Sequence, residues 1–285
     1  MTIPGDFDLR MHVPEGPLSE SVARVFFARG HTPHGRERIL PSTGAVLLCV
    51  LGAPLRMTAP GADGARDVRG AWITGPHERP IINEPTGETH VVGVVFRPLG
   101  LWSLTKRSVE PFTDRLVPAT DVAPAMQGAP RLLSDLTGCE DGDDKIDAAV
   151  AWLEAAGAAA QPPGWARAVH ALVQDSSPIA QIQEQMGVSR RYFTQQIRER
   201  TGLTPKSLQR IARMRRMLHA IDARRPIRWS SEAVGAGYFD QPHAIRDFRR
   251  FTGMTPTEYV ARRRAAWGHD VEPGEATNFV PEVVR

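Results

Sequence analysis

Apolar positions along this chain follow two different periods. Up to about residue 120 they come in short runs, AVLLCVL (45–51), AWITG (71–75) and HVVGVVF (90–96), separated by turn-forming clusters such as APGADGARD and NEPTGE. Strands punctuated at this spacing predict a small β-sandwich or barrel. The stretch FRPLGLWSLTKRSVEPFTDRLVP then predicts an exit from the sheet into a helix over Pro98–Leu104, followed by a loop. Beyond it the period becomes helical. Pro130–Leu136 reads as a short helix. Asp143–Ala156 reads as a longer one, with Ile146, Val150 and Leu153 on one face and aspartates at the end where the helix dipole favours them. TGCEDGDD is the loop between the two, and GAAAQPPGW (157–165), with its small residues and paired prolines, marks a domain boundary.

From Ile179 to Tyr259 one pattern occurs twice: an apolar-periodic helix, a tight turn, a second helix, then Gly-x-Thr-Pro. The copies end in RERTGLTPKSL and RRFTGMTPTEY, and their glycines, Gly202 and Gly253, lie 51 positions apart. An internal repeat of this kind means two equivalent units. In the first, Ile179, Ile182 and Met186 form a stripe, Gly187 supplies the turn, and Ser189 caps a helix that turns Phe193 and Ile197 inward. In the second, Gly237 makes the turn and Asp240 is the cap. The helix that follows is expected to face the core with Ile245 and Phe248 and to leave Arg246, Arg249 and Arg250 in solvent. Thr204-Pro205 and Thr255-Pro256 read as helix starts, a cap followed by proline at the first helical position. Between the copies, KSLQRIARMRRMLHAI (206–221) lacks proline and glycine and predicts one continuous helix.

These runs, above all GVSRRYF and GYFDQPHAIRDFRRFTGMTPTEY, resemble the C-terminal DNA-binding domain of the AraC/XylS family of transcriptional regulators. The resemblance covers about the last third of the chain. It implies two helix-turn-helix units, with base-facing positions at Arg191, Thr194 and Gln195 in the first recognition helix and at Gln241, His243 and Arg246 in the second. The residue types suit that role, since Arg can bridge the two acceptors of guanine and Gln can pair with adenine. Phosphate contacts are assigned to Arg190, Arg198, Lys206, Arg249 and Arg250. The second unit departs from the family pattern at Glu232, where an apolar residue is usual, and at Ala244, where a large apolar residue usually packs, and Gly235 weakens its supporting helix. It is therefore expected to pack more loosely than the first or to contact mainly phosphates. Pro242 is tolerated in the first helical turn, where its missing N–H has no partner to lose. Upstream, ILPSTGAVLLCV and GVVFRPLGLWSL resemble the cupin-like domain that precedes AraC-type domains in many bacterial regulators.

The fold class that follows is α+β: a β-rich cupin-like domain over 1–122, a helical connector over 123–160, an all-α domain with two helix-turn-helix units over 163–267, and a tail over 268–285 without apolar period. Charge supports the division. The formal net charge is +3, but residues 161–268 carry 19 Lys/Arg against 8 Asp/Glu, which leaves −8 on the remainder. A strongly basic half beside an acidic one is the footprint expected of a nucleic-acid-binding domain. Double-stranded DNA is thus the expected partner, with RNA polymerase, a small-molecule effector and a second copy of the chain left open. No apolar run is long enough for a membrane span and no signal-peptide pattern opens the chain, which points to the cytoplasm.

Catalytic chemistry finds little support. His31-Thr-Pro-His34, with His12, His77 and His90, invites a metal-cupin reading, but no Glu stands between the paired histidines and the prolines favour a loop. No metal, cofactor or catalytic group is assigned. Cys49, inside an apolar run, reads as a buried structural thiol, and two isolated cysteines argue against a methyl-transfer protein with an AraC-like half. A cupin-type metalloenzyme fused to a DNA-binding module remains the alternative function. Trp72, Arg97 and Trp102, near Phe96 and Phe112, are candidates for a ligand pocket, with ordinary core packing as the other reading of the aromatics.

Overall fold

The computed structural model of the chain describes residues 7–32, 34–158, 163–175, 177–222, 226–267 and 279–281. Its first half is one antiparallel sheet built from β1 (Phe7–His12), β2 (Val22–Gly30), β3 (Glu37–Ile39), β4 (Val46–Thr58), β5 (Arg66–Thr74), β6 (Ile81–Pro85), β7 (Thr89–Phe96) and β8 (Leu116–Pro118). A last strand, β9 (Phe279–Pro281), completes the order β1-β2-β7-β4-β6-β3-β9, while β5 pairs with both β4 and β8. The three runs read from the sequence are the cores of β4, β5 and β7. β4 continues well past the predicted end, through Gly52 and Pro54. The pairing register with β5 shifts between Val50 and Leu55, and an interrupted ladder accommodates a proline that has no N–H to donate. The first half of β4 pairs with β7 and the second half with β6, so one bent strand rolls the sheet on itself.

Helix α1 (Gly100–Thr105) leaves the sheet as expected, and α2 (Ala129–Gly138) and α3 (Gly142–Ala155) follow. The segment read as a connector is more than a spacer. Leu132, Leu136, Ile146, Ala149 and Leu153 are buried in one cluster with Leu47, Val92, Val94 and Phe96 of the sheet. Asp141 caps α3 by accepting from the Asp143 amide at 2.8 Å. Arg10 of β1 reaches Asp141 at 2.6 Å and Asp143 at 2.8 Å, which ties that helix start to the sheet edge.

The second half is helical: α4 (Pro163–His170), α5 (Ile179–Gln185), α6 (Arg190–Thr201), α7 (Pro205–Ala220), α8 (Trp229–Gly235), α9 (Gln241–Thr252) and α10 (Pro256–Trp267). Its core gathers Ile182, Phe193, Ile197, Leu208, Met214, Phe248, Phe251 and Tyr259, and Leu40, Leu99 and Val280 from outside the helices join the same cluster. The stretch after α10, read as a tail, thus includes a strand: Phe279–Pro281 pair antiparallel with β3, and Val280 is fully buried. Three residues are too short to show a period, so this strand had no signature. Of the boundary at 157–165, residues 159–162 lie outside the described residues. Among the described residues, no helix is long and apolar enough to cross a membrane.

Candidate nucleic-acid interface

The two copies of the repeat are the same device at atomic level. Ser189 accepts from the Tyr192 amide at 3.3 Å to start α6, and Asp240 accepts from the His243 amide at 2.7 Å to start α9. Both helices have 12 residues, and both end at a left-handed glycine, Gly202 at φ 77° and Gly253 at φ 73°. Just before each glycine a buried threonine closes the last turn. Thr201 donates to Ile197 O at 2.7 Å and accepts from the Leu203 amide at 3.2 Å, while Thr252 donates to Phe248 O at 2.8 Å and accepts from the Met254 amide at 3.2 Å. Thr204 then caps α7 through the Ser207 amide. Thr255 and Glu258 form a reciprocal capping box at α10, and the Thr255 amide holds the Glu258 carboxyl below its ordinary range.

In the first unit Phe193 and Ile197 are fully buried, as read. Arg190, Arg191, Thr194, Gln195 and Arg198, together with Glu110, line one open groove of about 700 Å³. Gln195 donates to Glu199 at 2.8 Å on the same helix. Lys206 is exposed in the first turn of α7.

In the second unit the inward face of α9 differs from the expectation. Ala244, Asp247, Phe248 and Phe251 are buried and Ile245 is only half-buried. The stripe passes through Asp247, which Arg210 of α7 neutralises in a two-pronged ion pair, and that bond raises the Arg210 pKa against its own burial. Small residues hold the unit's two helices together, although Val234 of α8 and Phe239 of the turn are exposed. α8 and α9 meet and bury Ala233, Ala236 and Ala244, so small residues allow close approach where a bulky one would hold the helices apart. Arg246, Arg249 and Arg250 are exposed, and Gln241 is half-buried. His243 is half-buried too. Its ring meets the Tyr238 ring edge-on at 5.2 Å, and its Nε2 lies 3.9 Å from Asp247.

The N-terminal half reaches the C-terminal ends of both α6 and α9. Thr113 donates to Gly202 O at 2.7 Å, the Val109 amide to Glu199 O at 2.7 Å, and Arg38 to Thr252 O at 3.1 Å. Arg198 pairs with Glu110 at 2.8 Å and Arg250 with Glu78 at 3.5 Å. The Arg200 guanidinium lies between the rings of Trp102, at 5.1 Å, and Trp165, at 4.8 Å. None of these partners carried a pattern in the sequence.

The candidate pocket residues are not brought together. Trp72 donates its indole N–H to Arg69 O at 2.8 Å, Arg97 donates to Ser19 O at 2.6 Å, and Trp102 packs against Arg200 and Lys106. Cys49 is buried, and burial pushes its thiol up to about 12. His77 is buried with its nitrogens 3.2 Å from Gly75 O and 3.1 Å from Leu40 O, and His34 pairs with Glu37 at 3.1 Å. Among the described residues no group of three or more His, Cys, Asp or Glu is placed to hold a metal ion.

Residues 182–262 match a family described as a helix-turn-helix domain, and residues 10–118 match a domain of unknown function (DUF6597). Comparison with curated proteins finds no match. Among solved structures the chain is similar to ToxT from Vibrio cholerae, with 9% identity and a TM-score of 0.47 over 90% of this chain and 98% of that one. A structure of wild-type ToxT from strain SCE256 with unsaturated fatty acid bound gives 8% identity and a TM-score of 0.47 over 91% and 96%.

Proposed function

We propose that this chain, whose C-terminal part is a helix-turn-helix domain of the AraC type, is a sequence-specific transcriptional regulator controlled through its β-rich N-terminal domain. The observation that carries the reading is the repetition: two recognition helices of equal length, capped and terminated alike, each with exposed arginines. Arg191, Thr194 and Gln195 on α6, and Gln241, His243 and Arg246 on α9, read base edges. Arg190, Arg198, Lys206, Arg249 and Arg250 take phosphates. α7 joins the units and is about 24 Å long at 1.5 Å per residue, a length suited to recognition helices in successive major grooves about 34 Å apart. The chain acts by binding, with no catalytic step.

Selection of bound duplexes from a random DNA pool by the full-length protein, repeated with Arg191→Ala and Arg246→Ala, tests this. Two enriched motifs about one helical turn apart, each blurred by one substitution, are expected. Loss of affinity for all sequences equally would remove the base-reading role of the substituted residue, and absence of any enriched motif would remove sequence specificity.

A further inference from the structure

We propose that Phe239 is a further sequence-reading residue of the second unit, and that its ring seats on the C5-methyl group of a thymine in the major groove at the N-terminal end of α9. The proposal rests on the DNA-binding reading and adds an apolar contact to a set of polar ones.

The two turns differ in length by one residue. In the first unit the turn runs from Met186, the C-cap of α5, to Ser189, the cap of α6; in the second it runs from Ala236 to Asp240. Each passes through a left-handed glycine, Gly187 and Gly237. In the first unit Val188 both follows the glycine and precedes the cap, and it packs against the cluster that buries Phe193. That is the contact expected between the residue before a cap and the fourth residue of the helix. In the second unit the two places fall to different residues. Tyr238 follows the glycine: its amide donates to Ala233 O at 2.9 Å, the Gly237 amide donates to Val234 O at 2.9 Å, and Tyr238 is buried, which makes a helix end of Schellman type. Phe239 precedes the cap, and the fourth residue of its helix is the small, fully buried Ala244. Tyr238 thus fills the core, and Phe239 is left 90% exposed.

The neighbours of Phe239 fix its backbone. On one side the Tyr238 ring is anchored by the Arg213 guanidinium at 5.4 Å and the His243 ring at 5.2 Å. On the other, Asp240 accepts from the His243 amide at 2.7 Å. Seating the Phe239 ring on a partner therefore orders little beyond its own rotamer. The surroundings select the partner. Recognition helices of helix-turn-helix units meet base edges with their N-terminal residues, and Phe239 stands one residue before the cap of α9 and two before Gln241. Arg246, Arg249 and Arg250 of the same helix are exposed, and residues 161–268 carry 19 Lys/Arg against 8 Asp/Glu. An apolar ring on so cationic a body suits a polyanion that presents an apolar group. In the major groove that group is the thymine methyl, and phenylalanine is among the side chains that meet it.

The test starts from the duplex that full-length wild type enriches from a random pool. Each thymine of its motif is replaced in turn by deoxyuridine, which removes the 5-methyl group and keeps the hydrogen-bonding pattern. Fluorescence anisotropy then gives the affinities of wild type, Phe239→Leu and Phe239→Ala. At one thymine, deoxyuridine is expected to weaken wild type about 4-fold, the worth of one buried methyl group, while Phe239→Ala binds the two duplexes equally. Phe239→Leu, which keeps an apolar side chain, is expected to retain part of the difference. Such a cycle assigns the contact to the ring and the methyl as a pair, and because Phe239 lies outside the core the thermal unfolding of both variants should match wild type. If every methyl dependence seen in wild type persists in Phe239→Ala, or none is seen, the thymine contact is overturned while sequence reading by the other residues stands. Equal weakening of Phe239→Ala on all duplexes overturns it in the same way, as does affinity unchanged on all of them. If wild type enriches no motif, sequence reading itself falls and the thymine contact with it.

Discussion

Replacing Gly202 by alanine tests how closely the N-terminal domain is seated on α6. Its backbone is left-handed, φ 77°, a conformation that costs an L-residue about 1–2 kcal/mol. Gly187 in the turn of the first unit has φ 62° and open space where a Cβ would stand, so Gly187→Ala carries that cost alone. At Gly202 the added Cβ would lie 2.6 Å from Thr113 Oγ1 and 2.7 Å from Pro76 Cγ. Both neighbours belong to the N-terminal domain, and Pro76 cannot rotate away. An overlap of this kind costs about 1–3 kcal/mol more, giving roughly 2–5 kcal/mol for Gly202→Ala in all. Gly253→Ala, whose nearest atom is the movable end of Arg38, falls nearer the Gly187 value. Urea unfolding measures the three costs, and hydrogen exchange at the Val109 amide, bonded to Glu199 O, reports the junction itself. Gly202→Ala is expected to speed exchange at Val109 and Gly187→Ala to leave it unchanged. Equal destabilisation and equal Val109 exchange in the two variants would refute the close seating.

Two further outcomes follow from the same junction. Burial lowers the His77 pKa below its ordinary value of 6.5, so the neutral ring contributes stability that is present above about pH 6.5 and lost as pH falls through the folded value. The urea midpoint of wild type should therefore drop between pH 7.5 and 5 more than that of His77→Gln, and parallel profiles would exclude His77 as the cause. Ending the chain at residue 278 removes β9, leaves Glu37–Ile39 an open edge and takes the buried Val280 from the helical core. That should destabilise by about 1.5–3 kcal/mol, and an unchanged unfolding curve would show that the strand does not hold.

The helical half was largely legible because its signals are local. Ser189, Asp240, Thr204 and Thr255 are caps that need only their next three residues, and Gly202 and Gly253 are helix ends that only the backbone requires. The face of α9 was misread because Asp247 looked like a solvent residue until Arg210, 37 positions away, supplied its counter-charge. In the sheet, β4 was cut short at Gly52 because a bulge that absorbs Pro54 depends on register with a neighbouring strand. The junction was illegible for the same reason. Glu78 and Glu110 are ordinary loop acids in sequence, and only the fold sets them against Arg250 and Arg198.

The junction combines two kinds of contact that respond differently to a perturbation. Leu40 and Leu99 of the N-terminal half are buried in the helical core with Met214, Leu218 and Tyr259, and the Pro41 carbonyl accepts from Arg215 of α7 at 3.5 Å. Apolar burial is non-directional and little affected by salt, so this part keeps the two halves together. The rim, where Glu78 and Glu110 meet Arg250 and Arg198, is directional, half-exposed and screened by salt. Raising the salt concentration therefore weakens the rim pairs at both units while leaving the burial of Leu40 and Leu99 in place. α7 lies between α6 and α9 in the chain, and the N-terminal half contacts the C-terminal ends of both.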